Sequence, residues 1–281
     1  MQELDHYIDR VQHLPPAPKI LPQLLSLLNR VDVEASQVVD LMMYDPALTA
    51  AALQLANSVY FAGSSACDLS EAVSRLGFSR VYQLVAAVSG SRLLSASQKG
   101  YGIDEGELWR HSVTSAVAAQ LMAEKFGDDH NLVFTCALLH DLGKVVLAQA
   151  LERVYAKIIE DVEKNQQALI EAEKKLLGVQ HAEIGARLLA RWKFPINIVS
   201  AVCYHHDPAA AGEHQRLAAY VYLGNLIAYF VGHGFGHHAF AMRSRAEALE
   251  IVGINGEDLA EIMISTYENF EVVNALLSPT R

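Results

Sequence analysis

Cysteine is scarce in this 281-residue sequence: Cys67, Cys136 and Cys203 are far apart, odd in number and form no C-x-x-C pair. That excludes a disulfide framework and a thiolate zinc site, and it fits a reducing cytoplasm. Basic residues are also few, 22 Lys+Arg against 32 Asp+Glu, for a formal net charge of -10. A surface of that sign repels phosphate backbones, so general nucleic-acid binding is not expected. The short helices around Gly77 do not change this. Between residues 57 and 99 the basic side chains are Arg75, Arg80, Arg92 and Lys99, against acidic Asp68 and Glu71. That excess is too small for a phosphate footprint, and a packed helix pair is the simpler reading.

Long apolar runs are missing as well. Met1–Asp5 has neither a basic start nor an apolar stretch, so no signal peptide is expected there. The charge-free segment Leu217–Val231 spans 15 residues and carries Asn225, short of the roughly 20 that cross a bilayer. The expectation is a soluble cytoplasmic protein with no membrane partner. No alternating β-branched run, internal repeat or low-complexity tract is present.

What the sequence has is helical periodicity. Hydrophobic residues are 52% and charged residues 19%, enough for a large core. Leu21, Leu24, Leu25 and Leu28 share one face after the helix-breaking segment 14–18, LPPAP. Asp45-Pro46 predicts a helix start, with Asp45 as N-cap and Pro46 in the first turn. A helix opening at Ser70 is predicted to break at Gly77, and Val81, Leu84, Val85 and Val88 carry the next. Helices are then predicted over 108–126, 132–149, 154–177 (a charged one), 181–192, 196–206, 217–231 and 258–277. The polar stretch 95–106, SASQKGYGIDEG, is the expected boundary between subdomains 1–98 and 99–281.

Five histidines lie in or beside these apolar helices: His111, His140 next to Asp141, His181, and the pair His205-His206. One histidine on an apolar face is usually a hydrogen-bonded core residue. Five, from four helices of a bundle and with a carboxylate among them, form a credible metal centre. Imidazole with carboxylate suits Fe, Mn, Zn or Ni better than Mg or Ca. The glycine-rich stretch 232–238, GHGFGHH, reads as a surface turn.

This order of residues resembles the HD phosphohydrolase superfamily, with HDLGK (140–144) similar to its motif. LPPAP (14–18), YDPALTAAALQLANSVYF (44–61), LSEAVSRLGFSRV (69–81) and HAEIGARLLARWKFP (181–195) resemble a narrower branch, the HDOD or HD-related output domain. The resemblance implies an all-α fold, an N-terminal helical subdomain packed on an HD-type helical bundle. It also implies a signal-transduction output role with a signalling protein partner, and any sensor on a separate chain. His111, His140 and Asp141 match one metal's ligands. His181 with one or both of His205 and His206 matches a second metal's. Asn225 stands where the superfamily has a final aspartate, and an amide brings no charge. One divalent ion is therefore favoured, or two with a bridging anion, because positive charge in a dry bundle is costly. The segment after His206, DPAAAGEHQ, lacks a GYP motif, which counts against cyclic-di-GMP hydrolysis. Two functions follow: a non-catalytic or weakly active module that senses a phosphate or nucleotide ligand, or a metal-dependent phosphohydrolase. In the second, Asp141 is the bridging ligand and Lys144 neutralises phosphoryl charge.

Overall fold

A computed structural model describes residues 2–9, 11, 17–28, 30, 32–58, 66–150, 158, 160, 162, 164, 168–234 and 246–277. Within these residues the regular structure is helical, and the one β contact is an isolated bridge between Gln98 and Ile103. The first five helices are α1 (Gln2–Asp9), α2 (Ile20–Leu28), α3 (Ala35–Met42), α4 (Pro46–Ala56) and α5 (Leu69–Leu94). Nine follow: α6 (Glu107–Phe126), α7 (His130–Leu139), α8 (Leu142–Ala150), α9 (Leu169–Leu177), α10 (His181–Arg191), α11 (Ile196–Cys203), α12 (Gln215–Phe230), α13 (Ala246–Val252) and α14 (Gly256–Leu277). Residues 14–16 of LPPAP, 59–61, most of 151–167 and 235–238 lie outside the described residues.

Local chemistry explains several boundaries. Asp45 caps α4 as predicted, its side chain accepting from the amides of Ala47 and Leu48, with Pro46 at the first position. Arg92 holds the same carboxylate through two hydrogen bonds of 2.9 and 3.0 Å. Gly77 divides α5 with φ 74° and ψ 161°, a backbone state that L side chains rarely adopt. The predicted helix over 132–149 is in fact two. It breaks in a turn at His140-Asp141, which frees both side chains to face the same interior point instead of diverging around one helix.

One apolar core runs from Ile8 to Phe270, so both halves of the chain share it. Within it Leu142–Ala148 of α8 are all buried. The stretch His130–Ala150 is long and apolar enough by composition to span a bilayer, yet 89% of its most apolar window is buried inside the protein. In the segment 95–106, expected as a polar boundary, Ala96, Ser97, Lys99, Gly102, Asp104 and Glu105 are exposed, while Gln98, Tyr101 and Ile103 are buried. The helix α1 lies against α10 and α8 rather than against its sequence neighbours alone. Asp5 pairs with Arg187 at 2.7 Å and with Arg191 at 3.2 Å, and Tyr7 donates to the carbonyl of Leu177.

Candidate metal centre

The close packing of α8 on α10 sets the centre's geometry. A Cβ on Gly143 would lie 1.8 Å from the carbonyl oxygen of His181 and 2.8 Å from the amide of Gly185. No other residue fits there without parting the helices. The glycine of HDLGK therefore brings Asp141, two residues before it, up to His181 at the start of α10.

The five predicted histidines converge. Ring centroids are 5.4 Å apart for His111–His140, 5.0 Å for His140–His205 and 5.6 Å for His181–His205. His206 closes the group at 5.0 Å from His181 and 3.9 Å from His205, so both histidines of the pair take part. Asp141 sits between two sets. Its Oδ2 is 3.8 Å from His111 Nε2 and 3.3 Å from His140 Nε2, and its Oδ1 is 3.3 Å from His181 Nε2. His111, His140 and Asp141 offer ligand atoms within 4.8 Å of one another, and so do His181, His205 and His206.

Four of the five rings, those of His111, His140, His181 and His205, are turned inward by a bond on the far nitrogen. His111 Nδ1–H donates to the His233 carbonyl at 3.0 Å, His140 Nδ1–H to Ala137 at 2.7 Å, and His205 Nδ1–H to Val202 at 2.7 Å. His181 Nδ1–H donates instead to a carboxylate, Glu173 Oε2, at 2.8 Å. This outer support fixes the tautomer and leaves Nε2 as the inward lone pair. His140 Nε2, His205 Nε2, Asp141 Oδ1 and Asn225 Oδ1 are buried without a hydrogen-bond partner. The 3.3 Å approaches of His140 Nε2 to Asp141 Oδ2 and of Asp141 Oδ1 to His181 Nε2 are close contacts, not aligned bonds. Buried polar atoms left without a partner are costly, and a cation held within the two His/Asp groups would offset that cost for the histidines and Asp141. The Nε2 atoms of His181 and His206 are 3.0 Å apart, close to the roughly 3.3 Å between two nitrogens on one tetrahedral ion. The residues present fit a metal ion.

Electrostatics agree. Burial pushes His111 down to about 3, against the pull of Asp141. Burial and neighbouring imidazoles hold His205 and His206 well below the usual value. These rings are neutral, the form that binds metal. His181 moves the other way: burial opposes its charge, but Glu173 and Asp141 outweigh burial. Burial alone would raise the Asp141 carboxyl, yet His140 and Lys144 beside it hold it far below the carboxylate range. Lys144 is buried with Nζ 2.6 Å from Asp141 Oδ2, and that pairing keeps it charged despite its burial.

Three supporting residues escaped the sequence reading. In the sequence Glu173 is one more charge on the charged helix expected over 154–177, but it and Ala172 form the buried face of α9. Tyr101, inside the supposed boundary, donates to Glu173 Oε1 at 2.8 Å. His233 was assigned to a surface turn, yet its carbonyl backs His111 and its Nδ1 lies 2.7 Å from Thr114 Oγ1. Asn225 is buried on α12, as a ligand position requires.

A helical bundle that gathers five imidazoles around one buried aspartate, three of them in direct approach to it, is an HD-type domain. Residues 14–208 match the HDOD domain, and the chain belongs to the HDOD family. It is 30% identical to an uncharacterized protein of Treponema pallidum (strain Nichols) over 228 residues, 79% of this chain and 44% of that protein. The chain thus spans less than half the length of the curated relatives it matches. Three solved structures share the fold. An HDOD domain protein of unknown function from Geobacter sulfurreducens has TM-score 0.77 and 24% identity, over 98% of this chain and 97% of that one. A "Putative phosphohydrolase" from Shewanella amazonensis SB2B has TM-score 0.74 and 25% identity, over 98% of each. A "Putative signal transduction protein" from Marinobacter aquaeolei VT8 has TM-score 0.77 and 23% identity, over 98% of this chain and 64% of that one.

Proposed function

We propose that this chain is a cytoplasmic signal-transduction output module whose buried His/Asp centre binds one divalent transition metal and responds to a phosphate or nucleotide ligand, passing that state to a protein partner. The observation that carries it is the set of inward, unpartnered atoms around Asp141. With neutral imidazoles, the buried charges are Asp141 and Glu173 against Lys144, a net of one negative. One dication leaves one positive charge, and two leave three. A second ion therefore needs an accompanying anion, which is how a phosphorylated ligand would be recognised. The three free cysteines are consistent with the reducing compartment.

Turnover is disfavoured by two features: the neutral amide of Asn225, and the direction of Lys144 toward Asp141 rather than toward an open pocket. The second reading, a metal-dependent phosphohydrolase, is favoured by the paired three-residue groups flanking Asp141 and by the phosphohydrolase-named neighbour. In either case a bound ion supplies Lewis-acid chemistry toward phosphate oxygens. Asp141 and the histidines would hold and orient it, and the burial of all of them but the half-buried His206 would limit the access of water.

Elemental analysis of protein purified without chelator tests the reading. About one equivalent of Fe, Mn, Zn or Ni per chain is expected, lost in His140→Ala; less than about 0.2 equivalents in the wild type overturns it. Hydrolysis of a nucleotide panel with Mn or Fe, absent in His140→Ala, would establish the second reading instead.

A further inference from the structure

We propose that Glu173 is a positioning residue for His181, and that it supplies the centre with the negative charge Asn225 does not. This deepens the metal reading above and rests on it.

Glu173 is fully buried on a helix whose neighbouring Lys174 and Lys175 face solvent. A carboxylate in such a place is costly unless several donors meet it. Three do: the backbone N–H and the Nδ1–H of His181, both on Oε2 at 2.8 Å, and the Tyr101 hydroxyl on Oε1 at 2.8 Å. Two of the three come from one residue, so ring and backbone of His181 are clamped together at the first position of α10. His111, His140 and His205 use neutral carbonyls for the same purpose. His181 alone among these four has an anion behind it, and a carboxylate there raises the basicity of Nε2. That Nε2 faces Asp141 and His206. Without Glu173 the charges of Asp141 and Lys144 cancel, and a dication would sit in the bundle with two uncompensated positive charges.

A carboxylate at the start of a helix also stabilises that helix by itself, so the test must read the metal. In the full chain, Co2+ affinity and the visible Co2+ spectrum are measured for wild type, Glu173→Gln and Glu173→Gln with Asn225→Asp, with circular dichroism of each metal-free protein as the folding control. Glu173→Gln keeps the shape and an acceptor but removes the charge. It is expected to bind Co2+ about 10- to 100-fold more weakly with an altered spectrum, and the added Asn225→Asp is expected to recover most of the loss. Binding within about threefold of wild type with a superimposable spectrum overturns the proposal, and so does a double variant that recovers nothing. If Glu173→Gln does not fold, 15N NMR of the wild type with Zn2+ decides: His181 must carry its proton on Nδ1, and an Nε2–H tautomer refutes the assignment. Wild-type protein that takes up neither ion sinks the metal reading itself, a result distinct from the first.

Discussion

Replacing Gly143 with alanine tests the contact on which the centre's geometry depends. The added methyl would begin 1.8 Å from a backbone oxygen and 2.8 Å from a backbone nitrogen. Ordinary contact starts near 3.4 Å, so α8 and α10 must part by about 1.5 Å, since neither opposing atom belongs to a side chain that can rotate away. Overpacking of a well-filled core costs about 1–3 kcal/mol, and the backbone on both sides places this case at the upper end. At about 2.1 cal/mol/K per residue of unfolding entropy, a loss of about 3 kcal/mol lowers the melting temperature by about 5 °C. The same displacement pulls Asp141 Oδ1 from its 3.3 Å approach to His181, so metal content falls along with stability. Thermal melts followed by circular dichroism, with elemental analysis of the same preparation, measure both. A Gly143→Ala protein that melts within about 1 °C of wild type and keeps its metal would refute the argument.

Other perturbations separate the remaining contributions. Lys144→Met leaves the Asp141 carboxylate buried without its ammonium partner, and breaking such a pair costs about 3–5 kcal/mol. Metal-free protein should unfold at lower denaturant concentration, with Mn2+ restoring more stability than it does in wild type; an unchanged metal-free midpoint contradicts this. Asp45→Ala removes the α4 cap and the Arg92 pair, a loss of about 1–2 kcal/mol at neutral pH. Arg92 chiefly holds the Asp45 carboxyl below its ordinary value of 3.8. The contribution is therefore complete above that value and disappears as pH falls through the lower folded one. Denaturation of wild type and variant should converge in that acid window, and a gap that persists there argues against the ionic part.

Much of this architecture was legible because its causes are local. Three- and four-residue spacing marks helix faces, Asp45-Pro46 marks a start, and Gly77 marks a break; each depends on a few adjacent residues. The histidines were legible for another reason: imidazoles inside apolar helices need a partner, and five of them need a common one. Glu173, Tyr101 and His233 were not legible. Each acts through a contact with a distant residue (Glu173 with Tyr101, 72 positions away, for example), and composition around them suggests solvent. The break at His140-Asp141 was hidden as well, because the residues on either side of it, Ala137–Leu139 and Val145–Ala148, are apolar and periodicity does not register a turn buried between them.

The clamp of α1 on α10 has a consequence for how the molecule is made. Asp5 meets Arg187 at a separation of 182 positions, so α1 has no seat on α10 until the long stretch between them has been made. Closing so long a loop is slow. The helix that begins with His181 is thus latched from outside by a segment far from it in sequence, and the latch falls shut only after both have been made.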